Sequence, residues 1–220
     1  MRKKPTAASE QARVTLTQSD VIAAAHRLLD ETGVDGWSMR MLARELSVSV
    51  STLYWHVRDK RELLKILIDD SLRSIEFSDA GDWQERLAEF LRQGRNVLRA
   101  RPSLIGLIWS SGWQLGTETL RMTNDVLGLV AESGTPEEEV ADAYFMVVAF
   151  LFGFVAMETL SPDTPGFNVD DSPSAHDAAS LPHLVRYRPA ADMEGMDRRF
   201  ERGVARIVRS LDSVVNVHSD

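Results

Sequence analysis

The chain has 220 residues, a net charge of −8 and 44% hydrophobic residues, which is enough for one fair-sized core or for a small domain joined to a larger one. It has no cysteine, which excludes disulfides, thiolate zinc sites and a cysteine nucleophile. We expect no membrane span, because no apolar run reaches about 18 residues. The basic and polar start predicts no secretory signal, so a cytoplasmic location is expected.

The charge is unevenly distributed. Residues 1–75 hold 12 Lys and Arg against 10 Asp and Glu, whereas residues 76–220 hold 13 against 23. The first third is therefore the part compatible with a polyanionic partner, and the acidic remainder would discourage non-specific binding. Its small positive excess predicts dependence on well-placed contacts more than on bulk attraction to phosphates.

Two helices are predicted before residue 47. Thr17 or Ser19 can cap the first, because a short side-chain oxygen accepts an unpaired backbone N–H. Apolar residues then recur on one helical face until Gly33, which is typical of a helix C-terminus. Ser38 begins the second helix, which has its own apolar face.

A turn and two more helices follow. Residues 47–49 form the turn, residues 50–56 a short third helix, and residues 60–75 a longer fourth helix with a buried apolar side. A short helix, a tight turn and a second short helix make a helix-turn-helix motif, whose second helix enters the major groove of DNA.

The residues around this motif resemble the TetR (tetracycline repressor) family of transcription regulators. The similarity covers about residues 16–75, and the Tyr54-Trp55-His56 triplet is closest to the branch that contains the tetracycline repressor itself. The matching elements are Gly33–Arg40, Leu42–Leu46, Thr52–Val57 and Lys60. The resemblance implies an all-α fold with an N-terminal three-helix DNA-binding domain and a C-terminal helical domain for ligand binding and dimerisation.

The domain organisation follows from these elements. We expect a disordered basic arm over residues 1–15, a DNA-binding domain over 16–75 and a helical domain over 76–220. The arm either reaches the minor groove or only solubilises the chain. Further helices are predicted at 83–100, 103–111, 117–133, 136–160 and 193–215, with a long mobile loop over 161–192, which holds five of the eight prolines.

The resemblance assigns DNA contacts to the motif. Arg40 and Val50 would approach base edges, and Trp55 would lie near the backbone. The residues expected to hold phosphates are Thr52, Tyr54, His56 and Lys60, with Ser38, Ser49 and Ser51 as extra donors. The alternative is that the two aromatics of the triplet are core residues.

Two apolar stripes predict a homodimer. The long helix carries a mostly small stripe, and the last helix a broad one, so that two helices from each chain would form a four-helix interface, as the family does. The alternative is that both stripes are buried within one subunit. The stripes are Phe145, Ala149, Gly153 and Ala156, and Phe200, Val204, Ile207, Val208, Leu211 and Val215. A two-fold dimer predicts a palindromic double-stranded DNA operator.

A ligand pocket is predicted on another face of the long helix. Its aromatic and aliphatic residues with one carboxylate suit a small, mostly apolar ligand, including a cationic one. Ordinary core packing is the alternative for each of these residues, and the existence of a pocket rests mainly on the resemblance. The candidates are Trp109, Trp113, Met122, Tyr144, Val147, Leu151, Phe154 and Glu158.

No metal, cofactor or catalytic centre is expected. Glu76 stands where the tetracycline-repressor branch has a ligand-binding histidine, and the five histidines lack metal-ligand spacing. No glycine-rich phosphate loop, nucleophile elbow or His-Glu-x-x-His motif is present. The preferred interpretation is a repressor released from its operator by a ligand; the alternatives are a DNA-binding regulator without a small ligand and a helical interaction module.

Overall fold

The computed structural model describes residues 16–110, 116–159, 180–187 and 193–217, and all regular structure within these ranges is helical, as predicted. The chain divides into two compact units, of which the first ends at Leu63 and the second begins at Leu64. This division falls inside the fourth helix, whereas we expected it after residue 75. The predicted arm over residues 1–15 lies outside the described residues.

The first unit contains three helices and the start of a fourth. They are α1 (Gln18–Thr32), α2 (Met39–Glu45), α3 (Val50–Leu53) and α4 (Lys60–Leu72). Thr17 caps α1 in a reciprocal box with Asp20, and these bonds hold the pKa of Asp20 below its ordinary value. Gly33 ends α1 with a φ of 72°, which glycine adopts without steric cost.

The third helix is shorter than predicted. After Leu53 the backbone bonds tighten, because Trp55 N–H donates to the Thr52 carbonyl at 3.1 Å and His56 N–H donates to the Leu53 carbonyl at 3.0 Å. Bonds to the third preceding residue are typical of a helix end that winds more tightly than an α-helix. Residues 54–56 therefore form a turn, and the expected helix through His56 is wrong.

The second unit is built around one apolar helix. Its elements are α5 (Trp83–Ala100), α6 (Ser103–Ser110), α7 (Thr117–Glu132), a 3₁₀ turn (Glu137–Glu139), α8 (Val140–Thr159), α9 (Pro182–Arg186) and α10 (Met193–Val217). α8 packs against α5, α7 and α10. The predicted loop over 161–192 is wrong where it is described, because α9 lies there; its other residues, 161–179 and 188–192, lie outside the described ranges.

Glycines allow the close approach of helices to α8. A Cβ on Gly94 of α5 would lie 2.7 Å from Leu151 Cδ2, and one on Gly203 of α10 would collide with the Phe150 ring. Buried side chains of α10, including Phe200, Val204 and Leu211, complete this core. Much of the α10 stripe that we predicted for a dimer is thus buried inside the subunit.

One face of α8 is exposed in the described part of the chain. Phe145, Met146 and Met157 are exposed, Met157 at 73%, and Ala149 and Gly153 are exposed beside them. By length and composition alone, Glu137–Thr159 is apolar enough to cross a membrane, and only 28% of its apolar window is buried. The longest stretch of this helix without a charged residue is residues 143–157, between Asp142 and Glu158, so the expected absence of an uninterrupted apolar run of about 18 residues is compatible with this composition.

Candidate functional site

The residues that precede the exposed aromatics form a capped helix start. Ser49 caps α3 by accepting from the Thr52 N–H at 3.0 Å, and its Oγ lies 2.8 Å from both Ser51 Oγ and Thr52 Oγ1. Three hydroxyls therefore meet at one helix N-terminus. Hydroxyl donors and helix N-termini are the groups with which proteins hold DNA phosphates.

The aromatics at the end of α3 lie on the surface of the first unit. Leu53 and Val57 are buried and anchor the segment, whereas Tyr54 is 46% and Trp55 89% exposed, and His56 is half-buried. The alternative in which Tyr54 and Trp55 are core aromatics therefore fails. We name residues 49–57 the reading segment.

The other predicted DNA contacts surround this segment in the sequence. Arg40 is exposed on α2, and Val50 is half-buried at the start of α3. Ser38 caps α2 by accepting from the Met41 N–H at 3.2 Å. Lys60 Nζ lies 4.4 Å from the centroid of the buried Trp37 ring and donates to the Trp37 carbonyl at 3.4 Å, so its position is fixed within the unit.

The second unit contains an apolar cavity. Its water-accessible volume is about 50 Å³, and none of the residues that line it is charged. The polar side chains on its wall are Thr119, Thr123 and Tyr144, and Thr123 Oγ1 lies 3.2 Å from the Tyr144 hydroxyl. The lining residues come from α4 to α8 and from the residues after α4: Ile68, Leu72, Ile75, Phe90, Gly94, Leu98, Ile108, Thr119, Met122, Thr123, Tyr144, Val148, Leu151 and Phe152.

Only part of the predicted pocket lies on this wall. Met122, Tyr144 and Leu151 do. The candidates that do not line the cavity are Trp109, which is 60% exposed, Val147, which is fully buried in the core, Phe154 and Glu158. Trp113 lies outside the described residues.

Glu158 and Phe154 belong to a different cluster. The Glu158 side chain is 2% exposed and accepts from Arg95 Nε at 2.9 Å, while Arg95 also donates to Asp197 at 2.6 Å and lies 4.6 Å above the Phe200 ring. Phe154 packs edge-on against Phe200. These carboxylates, Glu158 first, raise the pKa of Arg95. Glu158 is therefore paired with Arg95, and it does not line the cavity.

Within the described part of the chain, no group of three or more His, Asp or Glu side chains could hold a metal ion.

Comparison with known proteins decides the family. The model of the bacterial regulatory proteins of the tetR family matches residues 21–67, and that of the tetracyclin repressor-like C-terminal domain matches residues 78–215. The chain belongs to the TetR family. Its members are DNA-binding transcription regulators.

Individual TetR-family proteins are similar over most of their length. The class A tetracycline repressor of Escherichia coli is 31% identical over 201 residues, which are 89% of this chain and 90% of that protein. Ligand-free ActR from Streptomyces coelicolor matches with a TM-score of 0.80 and 25% identity, over 94% of this chain and 100% of ActR. Its complex with actinorhodin matches with a TM-score of 0.76 and 27% identity, over 92% and 99%. BioQ with its double-stranded DNA operator matches with a TM-score of 0.63 and 25% identity, over 90% and 99%.

Sequence reasoning missed most of the cavity wall of this TetR-family protein. The missed residues Ile68 and Leu72 read as ordinary core positions of α4, because nothing local separates a cavity wall from a filled core. Thr119 and Thr123 carried a signal, since two hydroxyls four residues apart share one face of α7.

Proposed function

We propose that the protein is a dimeric repressor that binds a palindromic operator and is released by a small, neutral and mostly apolar ligand. The similarity to tetracycline repressors supports repression. ActR in complex with actinorhodin and BioQ with operator DNA support, respectively, an effector and a DNA partner. We expect the protein to work in the cytoplasm, since relatives are named as transcriptional repressors, and to have no catalytic activity.

The main observation that supports DNA recognition is the exposure of the reading segment. Trp55 has no structural reason to be 89% exposed in a unit that buries Trp37. Its exposure beside the capped hydroxyls of Ser49, Ser51 and Thr52 fits a surface for the sugar-phosphate backbone. Arg40 and Val50 would then read base edges, Arg40 through paired hydrogen bonds to guanine and Val50 through apolar contact.

The chemistry of the cavity defines the ligand class. With no charged residue on its wall, the cavity favours an uncharged molecule, since an ion would lose its hydration without compensation. The hydroxyls of Thr123 and Tyr144 would meet one hydrogen-bonding edge of that molecule. This class differs from the cationic ligand that a free Glu158 would have allowed.

The size of the cavity supports regulation by ligand. About 50 Å³ is far below the roughly 300–1,000 Å³ of ordinary ligand pockets. A drug-sized ligand must therefore move the walls, and Ile68 and Leu72 of α4 are among them. A ligand that binds only the widened state shifts the population away from the ligand-free state, which we assign to operator binding.

The exposed face of α8 supports the dimer. Its apolar side chains with the exposed Ala149 and Gly153 would let a helix of a second subunit approach closely. A two-fold dimer presents two reading segments to half-sites separated by about 34–36 Å or a multiple of it.

Selection of random DNA fragments by the purified protein, at a fixed near-physiological salt concentration, tests the proposal. Recovery of a palindrome supports a dimeric, sequence-specific regulator. Recovery of no sequence by folded protein contradicts it and favours the helical interaction module.

Binding of the neutral, apolar fluorophore N-phenyl-1-naphthylamine tests the cavity separately. Fluorescence that saturates at one site per subunit, together with weaker operator binding, supports a ligand-responsive protein. A recovered palindrome with no effect of this probe or of a panel of neutral apolar compounds favours the regulator without a small ligand.

A further inference from the structure

Helix α7 begins at a residue that has no side chain to cap it. Its N-cap is Gly116, so the N–H groups of the first turn need an acceptor from elsewhere. Asp69 of α4 supplies one: its Oδ1 accepts from the Thr119 N–H at 3.2 Å and from the Thr119 hydroxyl at 3.0 Å. Thr119 is the third residue of α7, the position that an N-cap side chain normally serves. A carboxylate of one helix thus caps another.

The glycine at this N-cap is explained by the approach of Asp69. Gly116 has a φ of −87° and a ψ of −177°, which any residue can adopt, so its backbone does not require glycine. A Cβ on Gly116 would instead collide with the Asp69 carboxylate. Gly116 therefore leaves room for the Asp69 carboxylate, and this carboxylate caps α7 in place of an N-cap side chain.

This contact lies at the edge of the ligand cavity. Ile68, the neighbour of Asp69, lines the cavity from α4, and Thr119 itself lines it from α7 together with Thr123. A molecule too large for about 50 Å³ must separate such walls, and the Asp69–Thr119 bonds join two of the helices that form them. These hydrogen bonds are sensitive to such a separation, because hydrogen bonds weaken steeply as their distance and angle depart from the ordinary range.

We propose that Asp69 is a positioning residue that holds α4 to the start of α7 in the ligand-free protein and is pulled away when the cavity fills. This inference rests on the proposed function, in which the ligand-free state binds the operator. Because α4 runs continuously from the first unit into the second, we expect that fixing it at Asp69 also restrains the start of α4, which follows the reading segment in the chain. Loss of the contact then weakens operator binding even without ligand.

The neighbouring Asp70 offers a matched control. It has the same charge and lies on the same helix, and its carboxylate lies 3.7 Å from Arg73, the residue that directly follows α4. Removing Asp70 changes the net charge by the same amount as removing Asp69 but leaves the cap of α7 in place.

The experiment compares full-length variants on the operator recovered by DNA selection, without ligand and well below the thermal midpoint. We expect Asp69→Ala to weaken operator binding about five-fold or more, within the usual range of allosteric coupling, and Asp70→Ala to change it less than about two-fold. Asp69→Asn keeps an acceptor oxygen and should lie between them. Hydrogen exchange of residues 116–123 should accelerate in Asp69→Ala alone.

A double variant separates positioning from helix stability. Asp69→Ala removes the carboxylate that a side chain at 116 would hit, so Gly116→Ser can be added, and serine is a preferred N-cap. Asp69→Ala/Gly116→Ser should recover the thermal midpoint and the protection of residues 116–123, but not operator affinity, because its new cap does not join α7 to α4.

Three results would overturn the inference. Equal operator affinities of Asp69→Ala and Asp70→Ala remove the positioning role and leave the repressor proposal intact. Recovery of operator affinity in the double variant reduces Asp69 to a stabilising cap. Selection of no sequence by the wild-type protein defeats the proposed function and this inference together. Should Asp69→Ala not fold, Asp69→Asn is compared with Asp70→Asn in the same way.

Discussion

The reading segment and the cavity are recognition sites of opposite kinds, one on the surface and one among the helices of the second unit. The reading segment spans nine consecutive residues, and its aromatics are exposed because their partner is outside the protein. The cavity gathers side chains from five helices, from Ile68 to Phe152, and almost all of them would pass for core residues. A surface site concentrates unusual residues locally, whereas an enclosed site arises from how ordinary residues are arranged. Substitutions in the two regions should therefore separate binding from stability.

The largest effect is expected inside the second unit. Arg95→Met leaves the buried Glu158 without its partner and should lower the free energy of unfolding by about 3–5 kcal/mol. Urea unfolding measures it. Arg92→Met, whose partner Glu201 is half exposed, should cost less than about 1 kcal/mol. Equal losses in both variants would mean that burial of the Arg95 pair is unimportant.

The next effect concerns the surface and should appear in binding alone. The double substitution of Tyr54 and Trp55 by Ala should weaken operator binding about ten-fold or more, or about 1.4 kcal/mol. Both side chains are exposed, so the free energy of unfolding should change by less than about 0.5 kcal/mol. Fluorescence anisotropy gives the affinity. Tyr187→Ala, at another exposed aromatic, is the control, and undiminished binding by the double variant would refute the docking surface.

A smaller effect tests the cavity wall. Val148→Ala enlarges the cavity and should tighten binding of N-phenyl-1-naphthylamine a few-fold, about 1 kcal/mol, since less wall movement is required. Val147→Ala removes the same atoms at the adjacent, fully buried position that does not line the cavity, and should leave probe affinity unchanged. Fluorescence titration compares them; equal changes would place the probe elsewhere.

The smallest effect is a dependence of stability on pH. Hydrogen bonding with Arg92 holds the pKa of Glu201 below its ordinary value of 4.5. A lowered carboxyl pKa stabilises the fold above about pH 4.5, and this stabilisation is lost as the pH falls through the folded-state pKa. Between about pH 5 and 3, the free energy of unfolding should therefore fall less in Glu201→Gln than in the wild-type protein, by less than about 1 kcal/mol. Urea unfolding measures it at each pH, and an equal fall in the two proteins would contradict the prediction.

Local signals explain which elements were predictable. α5 begins and ends as predicted, because Asp82 caps its first turn and Arg101-Pro102 follows its last residue. Ser49 likewise indicates the start of α3, because its side chain caps the helix. No residue indicates the end of α3, since nothing in the sequence requires the shift to tighter backbone bonds after Leu53.

The faces of α8 could not be assigned from sequence. This helix is apolar all round, so its periodicity does not distinguish the side that lines the cavity from the side that meets α10. Phe154 and Glu158 were therefore predicted on the pocket side, whereas they lie with Arg95 and Phe200 and do not line the cavity. What decides the faces are Gly94 and Gly203, which bring particular helices close to α8, and these contacts join residues distant in the chain.

The exposed face of α8 also makes folding and assembly interdependent. A single subunit in water leaves Phe145, Met146 and Met157 hydrated, whereas the proposed dimer covers them. By mass action, the thermal midpoint should rise with protein concentration, and dilution should remove stability that no substitution has touched. The concentration of this regulator would then determine what fraction of it remains folded and able to bind DNA.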